Sequence, residues 1–191
     1  MHAKSIVVFC GSKSGNNPVF ATDAKRLGNL LGTHKIHLIY GGSNRGLMGA
    51  VADGVLENGG SVTGIIPEML NKFEQQHDHI TELIVVENMH ARKHLLYQKA
   101  DAAIILPGGF GTLDELFEIL TWNQLSIHDK PIYLLNSGGF YSALLAHLDT
   151  MRQENFLYSS IEDALTIISS PEELFSDAAI TGFADSEIKE Y

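Results

Sequence analysis

A chain of 191 residues, 45% of them hydrophobic, is long enough to bury one continuous core and short for two independent ones. Its formal net charge of −10 argues against nonspecific binding to nucleic acid or to an anionic membrane, since phosphate contacts need clustered cations. An anionic small substrate would instead need a local basic pocket. The single cysteine, Cys10, leaves no intrachain disulfide and no cysteine-based zinc cluster, which suits a reducing compartment. Met1-His2-Ala3-Lys4 runs directly into Ile6-Val7-Val8-Phe9, with no signal-peptide pattern and no apolar run that spans a bilayer, so a cytoplasmic, soluble protein is expected.

Short β-branched runs alternate with stretches of helical periodicity along the chain. Strands are predicted at 5–9, 36–40, 61–66, 83–86, 102–106, 131–135 and 164–168, with helices at 19–33, 45–58, 89–100, 112–125, 140–153 and 171–178. Several strands are apolar throughout, as strands covered on both faces are. The pattern predicts an α/β fold of Rossmann-like type, a doubly wound, mostly parallel sheet with helices on both faces. Ser170-Pro171-Glu172-Glu173 reads as a helix start, with a capping hydroxyl, a proline at the first position and a carboxylate three residues on. Periodicity is lost after it, so residues 1–180 are taken as a single domain and 181–191 as an acidic, disordered tail.

In doubly wound sheets ligands bind at the carboxyl ends of the strands, and three of the loops expected there are glycine-rich. They are Cys10-Gly11-Ser12-Lys13-Ser14-Gly15, Gly41-Gly42-Ser43-Asn44-Arg45-Gly46-Leu47-Met48-Gly49 and Pro107-Gly108-Gly109-Phe110-Gly111-Thr112-Leu113-Asp114-Glu115. In the third, adjacent glycines admit a ligand close to the backbone, and the following helix offers free N–H groups to a phosphate. It is neither a P-loop nor the G-x-G-x-x-G fingerprint. A tight turn that needs glycine for positive φ is the structural alternative.

Glu115 carries two readings as well. Thr112-Leu113-Asp114-Glu115 has the form of a capping box, in which the carboxylate would be a helix cap. Its place at the rim where substrates bind makes it equally a catalytic candidate. In Met89-His90-Ala91-Arg92-Lys93, a helix capped by Asn88 would hold two cations near its positive end, which suggests either an anionic partner or pairing with Glu87 or Asp101. His77-Asp78-His79 lacks a third spaced metal ligand, so no metal is expected. Trp122, seven residues beyond Glu115, reads as core or subunit interface.

Taken together and in this order, these segments resemble the lonely guy family of cytokinin riboside 5′-monophosphate phosphoribohydrolases. The resemblance rests on Val8-Phe9-Cys10-Gly11-Ser12, Tyr40-Gly41-Gly42, Gly46-Leu47-Met48-Gly49, Gly64-Ile65-Ile66-Pro67, Met89-His90-Ala91-Arg92-Lys93, the loop 107–115, Thr121-Trp122-Asn123-Gln124-Leu125 and His128-Asp129-Lys130-Pro131. It implies hydrolysis of the N-glycosidic bond of a purine (N6-modified adenine) nucleoside 5′-monophosphate, without a cofactor. It also implies that Arg92 and Glu115 form the catalytic pair, that Glu74, Met89, Lys93, Pro107, Gly108, Gly109, Phe110, Gly111, Thr112 and Thr121 bind substrate, and that Gly108, Gly109, Gly111 and Thr112 hold its phosphate. A homodimer with the site near the interface is implied too, for which the apolar face Leu116, Ile119 and Trp122 is a candidate. Ser43, Phe110 and Ala91 depart from the family's frequent residues, and the change at Ala91 bears on how Arg92 is oriented. The alternatives are an AMP nucleosidase acting on unmodified AMP and a non-catalytic nucleotide-binding module. Relatives have also carried a lysine decarboxylase label, for which the chain shows no pyridoxal-phosphate signature.

Overall fold

The computed structural model describes residues 3–71, 76–158 and 160–181. The strands are β1 (Ser5–Phe9), β2 (His37–Tyr40), β3 (Val62–Pro67), β4 (Glu82–Val86), β5 (Ala102–Ile105), β6 (Ile132–Leu135) and β7 (Thr166–Ile168), each close to its predicted span. All pair in parallel, in the order β4-β3-β2-β1-β5-β6-β7. The helices are α1 (Pro18–Thr33), α2 (Gly46–Glu57), α3 (Glu68–Asn71), α4 (Met89–Gln98), α5 (Phe110–Gln124), α6 (Ser142–Gln153), α7 (Ile161–Ala164) and α8 (Ala178–Thr181). The short helices α3, α7 and α8 carry too few turns to show a period in the sequence. Of the tail assigned to 181–191, only Thr181 lies within the described residues, where it ends α8.

Successive strand residues point to opposite faces, which splits the interior in two. Val8, Tyr40 and Ile104 join Leu27, Leu31, Val51 and Val55 of α1 and α2 in one core. Phe9, Ile39 and Ile105 join Leu96, Leu116 and Ile119 of α4 and α5 in the other. Two covered faces explain why β5 and β6 carry no charged or hydroxyl-bearing aliphatic side chain and are buried at every position.

The predicted helix at 171–178 is instead a 3-10 turn, Pro171–Ser176, followed by α8. Ser170 makes no capping bond, and the Glu173 carboxylate accepts from the N–H of Ser169 at 3.0 Å. The two buried residues of this turn, Pro171 and Leu174, are three apart, and a three-residue period puts both on one side. α6 starts two residues later than predicted because Gly138 and Gly139 adopt φ of 55° and 74° in a turn at the end of β6. That turn lets the Tyr141 hydroxyl donate to the Leu106 carbonyl at 2.7 Å, while Phe140 takes a place in the cavity described next.

β1 and β5 are neighbours in the middle of the sheet, and the chain leaves them toward opposite faces. Their carboxyl ends therefore open a crevice at the topological switch point.

Candidate active site

A cavity of about 560 Å³ occupies that crevice, lined by the loops after β1 and β5 and by residues from α2, α3, α4 and α5. The loops are fastened to each other: the N–H of Gly11 donates to the Pro107 carbonyl at 3.0 Å, and the N–H of Leu47 donates to the Gly11 carbonyl at 3.1 Å.

The third glycine loop differs from the sequence expectation in where its helix begins. α5 starts at Phe110 with Gly109 as N-cap and no side-chain cap, so Thr112 is its third residue and Glu115 lies well inside it. The capping-box reading of Thr112 and Glu115 is thereby overturned. The first intrahelical bond runs from Leu113 N–H to the Gly109 carbonyl at 3.1 Å. No acidic side chain stands in the first turn to neutralise the N–H groups before it.

The tight-turn reading is overturned too, because none of Gly108, Gly109 and Gly111 has positive φ. Gly108 is required by packing, since a Cβ there would stand 2.1 Å from Thr112 Oγ1. At Gly109 and Gly111 a Cβ would meet nothing within 4 Å, so these glycines leave open space beside the helix start. Thr112 is buried, and Phe110 is 94% exposed at the cavity mouth.

Arg92 is buried on α4, whose Asn88 cap accepts from Ala91 N–H at 2.9 Å, as expected. Its Nε donates to the Ile65 carbonyl at 3.0 Å and its Nη2 to the Gly41 carbonyl at 3.4 Å. The carboxyl ends of β2 and β3 thus fix the guanidinium without help from position 91. Gly41 makes room for it, since a Cβ at that position would lie 2.3 Å from Nη2. Arg92 pairs with neither Glu87 nor Asp101. Its Nη1 stands 3.7 Å from Glu115 Oε1. Asp101 is engaged elsewhere, accepting from the N–H groups of Lys4 and Ser5.

Glu115 accepts no hydrogen bond from any described residue, and its side chain is only 12% exposed. Burial pushes its carboxyl up to about 7; Arg92 and then Lys93 oppose the rise, and Asp114 and Glu118 add to it. A carboxyl that exchanges its proton near neutrality, with its oxygens open to a cavity, has the properties of an acid–base group. Burial pushes the Cys10 thiol, on the same wall, far above the ordinary range, so it stays protonated and is no nucleophile.

Met89, Arg92, Pro107, Gly108, Gly109, Phe110, Gly111, Thr112 and Glu115 all line the cavity. Lys93 and Thr121 do not. The Lys93 ammonium pairs with Asp114 at 2.6 Å and with Glu118 at 3.3 Å, so carboxylates of α5 answer one of the two cations read as an anion signal. Thr121 lies farther along α5, donates to the Phe117 carbonyl at 2.7 Å, and lines a separate hollow between α5, α6 and α7. Glu74 lies outside the described residues. Sequence reasoning missed Phe20 and Phe140, whose rings meet edge to face at 5.4 Å on the cavity wall. The Gly138-Gly139 turn at a strand end was the available signal for Phe140.

His77 is a tether. Its N–H donates to the Gly42 carbonyl at 3.1 Å, and its Nδ1 accepts from His79 N–H at 3.3 Å, which leaves the proton on Nε2 facing Asp53 at 3.0 Å. Leu116 and Ile119 are buried against the sheet and Trp122 packs edge to face on Tyr97, so the apolar face offered as an interface belongs to this chain's own core. The outer face of α5 carries Phe117, Thr121 and, at its C-cap, Leu125 instead.

A sequence profile described as "Possible lysine decarboxylase" matches residues 48–178. A probable cytokinin riboside 5′-monophosphate phosphoribohydrolase of Oryza sativa subsp. japonica is 45% identical over 166 residues, 87% of this chain and 74% of that protein. A cytokinin riboside 5′-monophosphate phosphoribohydrolase of Rhodococcoides fascians is 40% identical over 179 residues, 88% of this chain and 90% of that protein. Among solved structures, the molybdenum cofactor binding protein of Rippkaea orientalis superposes with a TM-score of 0.68 at 26% identity, covering 92% of this chain and 95% of that one. With identity at this level over most of both chains, the protein belongs to the family of cytokinin riboside 5′-monophosphate phosphoribohydrolases, to which the "Possible lysine decarboxylase" profile also assigns it.

Proposed function

We propose that this protein hydrolyses the N-glycosidic bond of an N6-modified adenosine 5′-monophosphate, releasing the free base and ribose 5-phosphate. The observation that carries the reading is Glu115: a desolvated carboxyl with no hydrogen-bonded partner among the described residues, beside Arg92, on the helix whose uncapped start opens into the same cavity. At 1.5 Å per residue, Glu115 stands roughly 7 Å along the helix axis from Phe110. That offset suits a ligand whose 5′-phosphate meets the helix start while its anomeric carbon faces the carboxylate. Breaking C1′–N9 sends the bonding pair to the base, which takes up a proton from solvent, and builds positive charge on the ribose. An ionised Glu115 stabilises that charge and takes a proton from the attacking water as its oxygen bonds to C1′. A guanidinium is a poor proton donor, so the part of Arg92 is to hold Glu115 and the nucleotide in place. This chemistry calls for no metal or organic cofactor.

Residues 1–180 are proposed to act as one catalytic domain in the cytoplasm, as a homodimer whose interface adjoins the site and brings Thr121 to it. Exposed Phe117 and Leu125 beside the α5–α6 hollow support an apolar interface on the outer face of α5. Purified protein is to be incubated with AMP, an N6-isopentenyl AMP and the two matching nucleosides, with free base measured. Release from the monophosphates and none from the nucleosides is expected, with the N6-substituted nucleotide preferred. Equal rates on adenosine and AMP would overturn the phosphate assignment. Tight binding of AMP without base release would leave a nucleotide-binding module.

A further inference from the structure

The cavity contains two cationic side chains among its described lining residues, and they are placed very differently. Arg92 lies deep and is bound to Ile65, Gly41 and Glu115. Lys13, in the loop after β1, lines the same cavity as the start of α5, is exposed, and has no hydrogen bond or ion pair to any described residue.

The backbone that leads into Lys13 is held against two neighbouring loops. Gly11 is bonded to Pro107 and to Leu47. Gly46, at φ 56°, packs so closely on the loop that a Cβ there would stand 2.4 Å from the Ser12 carbonyl carbon and 2.5 Å from the Lys13 nitrogen. The fold therefore presents an ammonium with no partner among the described residues, on the cavity wall shared with the uncapped helix start. On a chain of net charge −10, a cation at the cavity mouth also offsets the long-range repulsion an anionic ligand meets.

We propose that Lys13 binds the phosphate of the nucleotide, its ammonium completing an anion subsite whose other wall is the free N–H row of Phe110, Gly111 and Thr112. The proposal rests on the nucleotide reading above and adds a residue to it. An ammonium acts on a phosphate as a point charge, so removing it weakens binding without disturbing Glu115, which stands farther inside α5.

The test is calorimetric affinity for AMP, ribose 5-phosphate and adenosine, measured on the wild type, Lys13→Met, Lys13→Arg and the distant surface control Lys25→Met. Lys13→Met should bind AMP and ribose 5-phosphate about tenfold more weakly, with adenosine unchanged. Lys13→Arg should recover most of the loss, and added salt should shrink the difference between wild type and Lys13→Met. Base release by Lys13→Met should show a raised KM with kcat within about twofold. Wild-type affinity for both phosphates in Lys13→Met, or an equal loss for adenosine, overturns the proposal. Because affinity is read directly, a wild type that binds AMP but never releases base refutes the proposed reaction and leaves the role of Lys13 standing.

Discussion

Replacing Glu115 by Gln separates the electrostatics of the site from its shape. Folded Glu115 holds its proton up to about 7, against an ordinary value of 4.5, because burial disfavours the charged form more than Arg92 and Lys93 restore it. At about 1.4 kcal/mol per tenfold change in proton affinity, that rise corresponds to about 3 kcal/mol. Between these two values the native state binds more protons than the unfolded chain, so stability falls as pH rises. The contribution of the neutral carboxyl is complete below 4.5 and is lost as pH climbs through about 7. Glutamine is neutral throughout and lacks this slope. Urea unfolding across the pH range should show Glu115→Gln gaining about 3 kcal/mol on the wild type between about pH 4 and about pH 8. A difference that stays flat, or turns toward the wild type with rising pH, would mean that Arg92 keeps the carboxylate ionised, and would refute the reasoning. The same variant should bind AMP and release base roughly 10²–10⁴-fold more slowly, while the wild-type rate rises with pH through about 7. Near wild-type turnover would send the search for the carboxylate to Glu74 or Asp114.

Other changes probe the shape of the cavity. Gly109→Ala adds a methyl where nothing lies within 4 Å, so its thermal midpoint should barely move while its KM for AMP rises. Gly108→Ala meets Thr112 Oγ1 at 2.1 Å and should cost about 1–3 kcal/mol in chemical denaturation. Gly41→Ala places a methyl 2.3 Å from Arg92 Nη2 and 2.9 Å from Met48 Sδ. Base release should fall at least tenfold as the guanidinium is displaced, and unchanged turnover would remove Arg92 from the site. Light scattering over a dilution series should show a dimer whose activity falls on dissociation, and a fully active monomer would remove the shared site.

The periodicity of the chain was sufficient to give the parallel α/β sheet. Strands buried on both faces read as apolar runs, and long helices over a sheet repeat their apolar residues every three or four positions. Those are local regularities, and they brought the loops after β1, β2 and β5 forward as binding elements. The resemblance to the lonely guy family likewise singled out Arg92 and Glu115 as a pair, 23 positions apart in the sequence. Local patterns misread what depends on partners distant in sequence. The T-x-x-E form made Glu115 a cap, yet packing of Thr112 on Gly108 and of Gly11 on Pro107 starts α5 at Phe110 and carries Glu115 into the interior. Leu116, Ile119 and Trp122 looked like an interface, because a sequence shows that a helix has an apolar face without showing what covers it. The elevated proton affinity of Glu115, the different surroundings of Arg92, Lys93 and Lys13, and the aromatic wall of Phe20 and Phe140 belong to the tertiary structure alone. Each depends on which elements the parallel crossovers bring to the β1–β5 crevice, and on how far water is excluded there.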